Sequence, residues 1–298
     1  MTFMCMTFNE TLTFEDVEPG IQKVAVDIGR LYEADSEKKL FQARFDQFLA
    51  KAKKDGEGIV WWKKGNILTY LTEVLIPKKI DSRQLSLLLL FGNPAPHSVL
   101  SKMFFSYEGE MSPEGRGQDH RFWGVLEEAR ILKFREKNSG SHNLNVQSRS
   151  ESRKRELYDL TYSSSFRIGL ATFFSMPTYA SDKEWGGVQG LRRLFGEKAI
   201  RRIAKGEEER LGRIAMDFLS PKGSIFAFQK DAYSEIKSAD TIVYNQDMAK
   251  KGELIGYCRW EKSQVRLFGL PSTRLIQGYS GLLRSFKDII LKESKSPL

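Results

Sequence analysis

The residues best suited to chemistry in this chain fall in two loops and the segments between them. The first loop, Gly92-Asn93-Pro94-Ala95-Pro96-His97-Ser98, follows the apolar run Leu85 to Phe91. An asparagine amide can hold a water molecule but cannot take its proton, so Asn93 offers positioning and electrostatics rather than general-base power. His97, four positions on, adds a hydrogen-bonding group that titrates near neutrality. Met103-Phe104-Phe105-Ser106-Tyr107 and His120-Arg121-Phe122-Trp123 come next, and the late loop reads Leu270-Pro271-Ser272-Thr273-Arg274. Adjacent phenylalanines point to different sides, so one of Phe104 and Phe105 belongs to the core and the other can offer a stacking face. Each motif also has a plain structural reading: a strand-end turn at Asn93, a hydrogen-bonded turn histidine at His97, a surface turn before a helix at Ser272.

Such loops need rigid elements behind them. Leu85 to Phe91 is continuously apolar and ends in Gly-Asn-Pro, the pattern of a strand buried on both faces. Ile168 to Phe174, Ser224 to Phe228 and Val265 to Leu270 have the same character, with room for crossover helices between them. These runs predict an α/β fold with a mostly parallel, four-stranded sheet, and ligands of such sheets bind outside the carboxyl ends of the strands, where both loops lie. Helical periodicity marks Arg121 to Leu132, with Phe122, Val125, Leu126 and Ala129 on one face, then Val188 to Phe218 as more than one helix, and Gly281 to Lys292. The polar, basic segment Ser139 to Arg155 lacks periodicity and reads as a loop or flexible insertion. Residues 1–80 read as an extension packed on a core domain at 81–298. It combines a helix over Glu37 to Lys53, carrying Leu40, Phe41, Phe45, Phe48 and Leu49, with a β-prone patch at Ile59 to Trp62 where Trp61 and Trp62 alternate sides. Trp123 and Trp260 are assigned to the core.

Composition bounds the partners. With 298 residues, 41% of them hydrophobic, the chain can bury one large core or one core plus a small appended domain. A net charge of +9, from 47 basic against 38 acidic side chains, favours polyanions through phosphate contacts and counterion release. Two cysteines, Cys5 and Cys258, exclude a disulfide framework and a four-cysteine zinc or iron–sulfur site. No run approaches the roughly 20 apolar residues of a membrane span, and the start lacks a basic segment followed by an apolar one, so a cytoplasmic protein is expected. No cluster of His, Cys, Asp or Glu has metal-ligand spacing. The expectation is a monomer without metal or cofactor.

Taken in order, the Asn-Pro loop, the aromatic pair, the Arg-Phe-Trp that opens a helix and the late Pro-Ser loop resemble the uracil-DNA glycosylase superfamily, particularly its mismatch-specific thymine/uracil branch. Gly169-Leu170-Ala171-Thr172 with Met176-Pro177-Thr178, and Phe226 to Tyr233, also look like that branch. The resemblance covers roughly residues 85 to 290. It implies a three-layer α/β/α fold and a metal-independent glycosylase that hydrolyses the N-glycosidic bond of uracil, or another damaged, mismatched or modified base flipped out of DNA, leaving an abasic site. Asn93 would orient the attacking water and His97 would donate to a base oxygen or a phosphate. Gly92, Pro94 and Ala95 would line the base, backbone amides polarising its carbonyls, and Phe105, with Phe104 as rival, would stack on it. Ser272 and Thr273 would bond a phosphate, while Arg274 and Leu275 match the wedge that fills the gap left by the flipped nucleotide. Arg192-Arg193 and Arg201-Arg202 would track the DNA backbone or form an ordinary solvated face, and Ser139 to Arg155 could clamp a strand.

Four departures bear on substrate. The loop reads Phe-Gly-Asn-Pro-Ala where the branch has Gly-x-Asn-Pro-Gly, so Phe91 and Ala95 replace two glycines. Glu108 to Asp119 is longer than the branch requires, Leu270 stands where the uracil-specific enzymes place a histidine, and the cysteine count excludes the iron–sulfur families. Other readings stay open: a glycosylase for a modified cytosine of phage DNA acting in defence, a DNA-binding module without chemistry, or a nucleotide-processing enzyme.

Overall fold

Two hydrophobic patterns build this protein, one alternating and one continuous. The computed structural model describes residues 5–52, 58–62, 65–135, 145–179, 182–260 and 265–295. The chain forms two compact units that each draw on separate stretches of sequence, Met1–Val74 with Gly92–Phe104 and Thr172–Arg213 in one, Leu75–Phe91 with Phe105–Ala171 and Ile214–Leu298 in the other.

The alternating pattern dominates the first unit. Strands β1 (Cys5–Phe8), β2 (Leu12–Glu18), β3 (Ile21–Asp27), β4 (Val60–Trp62) and β5 (Ile67–Glu73) form an antiparallel sheet in the order β1-β2-β3-β5-β4. Leu12, Phe14, Val24, Val26, Leu68 and Tyr70 face its core side. Only the patch that became β4 is expected from composition. β2 and β3 meet at Pro19-Gly20, where Gly20 takes φ 91°, a conformation that favours glycine. Helices α1 (Ile28–Leu31) and α2 (Asp35–Ala52) follow β3, and α3 (Pro96–Leu100), α6 (Gly187–Phe195) and most of α7 (Glu197–Phe218) complete the unit. In α2, Phe41, Phe45 and Phe48 are buried as expected, whereas Leu40 stays 51% exposed. The Phe41 and Phe195 rings stack at 5.4 Å, and Phe48 meets Trp185 at 5.9 Å. Trp61 and Trp62 are both half-buried rather than one in and one out, because the edge strand β4 is only three residues long and the Trp62 ring leans onto Phe41 at 5.2 Å.

Continuous runs dominate the second unit. Strands β6 (Leu85–Phe91), β7 (Phe166–Thr172), β8 (Ser224–Phe228), β9 (Ile255–Tyr257) and β10 (Arg266–Leu270) lie in the order β7-β6-β8-β10-β9. β8 pairs parallel with both β6 and β10, and the sheet is mostly parallel. The four expected runs all form strands. The sheet has five strands instead of four because the short β9 adds antiparallel to β10 at the edge. Leu87, Leu88, Leu89 and Leu90 are each 0% exposed, a burial that stabilises by roughly 1.5 to 3 kcal/mol per side chain. Helices α4 (Arg121–Glu128), α5 (Val146–Asp159), α8 (Lys230–Ile236), α9 (Gln246–Lys251) and α10 (Ser280–Ser294) belong to the same unit.

Two expectations need correction here. Of the segment read as a loop, residues 139–144 lie outside the described residues, but Val146 onward is helix α5, capped by Asn145 Oδ1 accepting from Ser148 N at 3.1 Å. Its buried face holds Arg149, Ser150 and Arg153 beside Val146 and Leu157, so hydrophobic periodicity could not reveal it. Trp123 is core at 1% exposure, but Trp260 is only half-buried. No helix among the described residues is long and apolar enough to cross a membrane.

Glu73, the last residue of β5, is buried, its Oε2 finds no hydrogen-bond partner among the described residues, and desolvation pushes its carboxyl well above the usual range. The folded state therefore keeps a proton that the unfolded chain releases near pH ~4.3, and stability falls as the pH rises through and above that value. Glu73→Gln should melt with wild type at pH 4 and increasingly above it toward pH 8, by roughly 2 to 4 °C per kcal/mol relieved. Thermal unfolding at several pH values checks this, and a gap that does not grow with pH refutes it.

Candidate active site

In the first unit, the Gly92-Asn93-Pro94-Ala95 loop is joined along its length to the segment that begins at Thr172. Phe174 N donates to Gly92 O at 2.8 Å and Thr178 N to Pro94 O at 3.2 Å. Ala95 then takes extended backbone as the cap of α3, with Pro96 in the first turn, where a missing N–H costs nothing. The Asn93 Nδ2 lies 2.7 Å from Thr178 Oγ1, 3.3 Å from Pro94 O and 3.4 Å from Met176 O. Two of these partners are carbonyls and can only accept, which fixes the amide: the NH2 faces them and Oδ1 turns the other way. Thr178 Oγ1 in turn donates to Gly187 O at 3.4 Å. The amide thus presents an acceptor, fit to hold a water by one of its hydrogens.

The remaining predicted residues of this unit are His97, half-buried on α3, and Phe104, 3% exposed. Phe104 is a core side chain and, as packed, has no open face for a base. That leaves Phe105.

Phe105 belongs to the second unit. It is half-buried and holds φ 50°, a left-handed conformation that costs a bulky side chain about 1 to 2 kcal/mol. Its ring stacks on Phe122 at 4.2 Å and 25°, with His120 at 4.9 Å and the Phe91 ring edge-on at 5.0 Å. Hydrogen bonds from two elements hold the strained backbone: Trp123 Nε1 donates to Phe105 O at 3.0 Å, and the buried Arg149 guanidinium donates at 3.1 Å to Ser106 O and to Gly117 O. Asp119 accepts from Arg153 Nη1 at 2.6 Å and lies 3.7 Å from Arg149 Nε. The Glu108 to Asp119 segment is therefore ordered by α5, with an antiparallel bridge between Glu108 and Gln118. Glu108 pairs with Arg121, whose guanidinium holds the carboxyl below its ordinary range, and Arg121 Nη1 also donates to Gln277 at 3.1 Å. His120 caps α4 by accepting from Phe122 N at 3.1 Å, a role that requires an unprotonated Nδ1.

The late loop also lies in this unit. Thr273 to Leu275 form one 3-10 turn, and Ser272 Oγ accepts from Arg274 N at 3.4 Å. Ser272 and Thr273 are half-buried and Arg274 exposed; Leu275 is 42% exposed, an apolar side chain held in solvent on a short turn. The basic pairs, by contrast, do not lie on a single helix. They sit on two helices, and partners within the first unit occupy three of the four: Arg192 pairs with Glu197 at 3.3 Å, Arg193 with Glu184 at 3.6 Å, and Arg202 with Glu33 at 2.7 Å. Arg201 is exposed.

Sequence reasoning missed Asp119, Arg149 and Arg153 as the clamp on the Phe105 loop, and Thr178 as the partner of Asn93. The four-residue spacing of the two arginines was the available signal. No group of three or more His, Cys, Asp or Glu able to hold a metal occurs among the described residues. No protein-family model matches the chain, and no curated protein matches it.

Arg149→Met should leave the Ser106 and Gly117 carbonyls without their buried donor at a cost of about 2 to 4 kcal/mol. Arg149→Lys should recover little, because an ammonium cannot reproduce the planar fork. A lowered urea midpoint together with faster amide exchange over residues 105–119 is the expected result; a midpoint equal to wild type refutes the clamp.

Proposed function

We propose that the protein is a DNA glycosylase that hydrolyses the N-glycosidic bond of a base flipped out of DNA and leaves an abasic site. The observation that carries this reading is the Asn93 amide, fixed by acceptor-only carbonyls so that its oxygen is the group offered to a water. The ordered motif set that resembles the uracil-DNA glycosylase superfamily supports it, as does the mostly parallel sheet, which fits a three-layer α/β/α arrangement around a four-stranded core.

Extruding a base costs a few kcal/mol and demands compensating contacts. In this reading Leu275, with Arg274 beside it, supplies the wedge, Phe105 stacks on the base, and Ser272 and Thr273 bond phosphate. Gly92, Pro94 and Ala95 line the base, and His97 donates to a base oxygen or a phosphate. Asn93 Oδ1 accepts from the water and aims it at the anomeric carbon. Because an amide cannot take the proton, bond breaking leans on the departing base as a stabilised anion, and uracil, a comparatively acidic base, is the first substrate to expect. DNA is the partner, and the protein acts as a cytoplasmic monomer without metal.

Duplex and single-stranded oligonucleotides carrying uracil, a G·T mismatch, hypoxanthine or modified cytosines, scored for alkali-labile sites, test the reading. Wild type should cleave at least one. Asn93→Ala should slow release roughly 100-fold, as loss of a well-placed positioning group does. Release by Asn93→Ala at the wild-type rate removes Asn93 from the mechanism, and DNA binding without release from any substrate makes the protein a binding module.

A further inference from the structure

The Asn93 amide is oriented in part by the Met176 carbonyl and the Thr178 hydroxyl, more than 80 residues away in sequence, so whatever fixes their segment helps fix the amide. Met176 and Thr178 belong to an irregular segment beyond the last ladder residue of β7. Its polar groups are taken up from behind. Arg210 Nη2 donates to Thr172 O at 2.6 Å and to Phe173 O at 3.1 Å. Ser175 N donates to Glu207 Oε1 at 2.7 Å, and the Ser175 hydroxyl donates to the same oxygen. Glu207 and Arg210 are themselves paired on α7, Nε to Oε2 at 2.7 Å, with side chains 0% and 3% exposed.

The contact continues into the N-terminal sheet. Tyr70 of β5 is 1% exposed, and its hydroxyl lies 2.8 Å from Ser175 Oγ. Serine has one hydroxyl proton, which the carboxylate takes, so Tyr70 is the donor in this contact. The Arg210 guanidinium also lies over the Phe14 ring of β2, 5.2 Å from its centroid. Every donor and acceptor in this chain of contacts is buried. A buried ion pair is weak evidence for stability, because packed apolar groups of similar volume often do as well. Its distinguishing consequence is geometric: it places the amide of Ser175 and the carbonyls of Thr172 and Phe173, immediately before the residues that hold Asn93.

We infer that Tyr70, Glu207 and Arg210 are positioning residues for Asn93, through which the N-terminal antiparallel sheet sets the orientation of the loop amide. The catalytic consequence rests on the glycosylase reading; the positional one does not. The sheet is therefore part of the machinery that aims the water, and the first 74 residues have a role beyond packing.

Tyr70→Phe removes one hydroxyl and Ser175→Ala removes the next, and either change keeps the side-chain framework. In protein labelled with 15N-asparagine, the Asn93 side-chain NH2 signal is identified by its loss in Asn93→Ala. Its hydrogen exchange should be about fivefold faster in Tyr70→Phe and in Ser175→Ala, the size expected for one lost hydrogen bond. Single-turnover base release should slow about fivefold in both with unchanged DNA affinity, and neither change should slow release further in the Asn93→Ala background. Unchanged exchange in either folded variant, or full additivity with Asn93→Ala, overturns the inference. If wild type releases no base from any substrate, the glycosylase reading fails and the exchange measurement alone decides the positional claim.

Discussion

A main-chain carbonyl buried in an irregular segment has no ladder partner, and leaving it without a donor costs more than most side-chain contacts return. In this protein buried arginines meet that constraint. Arg210 serves Thr172 and Phe173, Arg149 serves Ser106 and Gly117, and Arg167 serves Lys79 and Phe218. A guanidinium suits the task because its five donors lie in one rigid plane and can reach several carbonyls at once. Its charge must then be answered. Glu207 answers Arg210 and Asp119 answers Arg149, whereas Arg167 lies over the Phe218 ring, 4.6 Å from its centroid. In each unit a buried arginine thus holds main chain next to a candidate residue, Arg210 the segment that reaches Asn93 and Arg149 the one that follows Phe105.

This use of arginine changes what the net charge of +9 means. Arg149, Arg153, Arg167 and Arg210 are all less than 9% exposed, so part of the basic excess is structural and cannot release counterions from DNA. Within the basic segment Ser139 to Arg155, Arg149 and Arg153 hold the protein's own 105–119 loop. Charge counted from composition therefore overstates the phosphate-binding surface. Exposure of Leu275 adds little by itself, since Ile80, Val243 and Met216 are more exposed and single apolar residues on a surface are ordinary.

What could be read from the sequence follows the same division. β6, β7, β8 and β10 were legible because strands covered on both faces are continuously apolar, and α4, α6, α7 and α10 because their apolar residues recur at helical spacing. The antiparallel sheet was legible only at β4: Leu12 and Phe14 alternate with polar residues over a short stretch, and Val24 and Val26 are separated by the apolar Ala25, which blurs the two-residue period. Helix α5 stayed hidden because arginine stems form its buried face. Of the candidate site, Asn93 and its loop could be named from the sequence, but not the groups that hold them. Thr178 reaches that loop, and Tyr70 reaches Ser175 behind it, only through tertiary contacts, and no local pattern announces a partner 85 or 105 residues away.

The phenylalanine pair shows how backbone geometry selects between side chains that composition leaves equal. A regular extended chain would alternate Phe104 and Phe105 without saying which one packs. The left-handed φ at Phe105 turns the chain sharply, so Phe104 enters the core and Phe105 lies against Phe122. Bulky residues avoid that conformation unless the surroundings over-determine it, and here Trp123 and Arg149 hold the two carbonyls that follow the turn. In the glycosylase we propose, a stacking surface held this way would lose little freedom on meeting a base, so more of the stacking energy would remain to offset unstacking from the duplex. On that reading, the fixed backbone at Phe105 and the fixed amide of Asn93 would be two answers to one requirement: groups that do no proton transfer must already be in place before the substrate arrives.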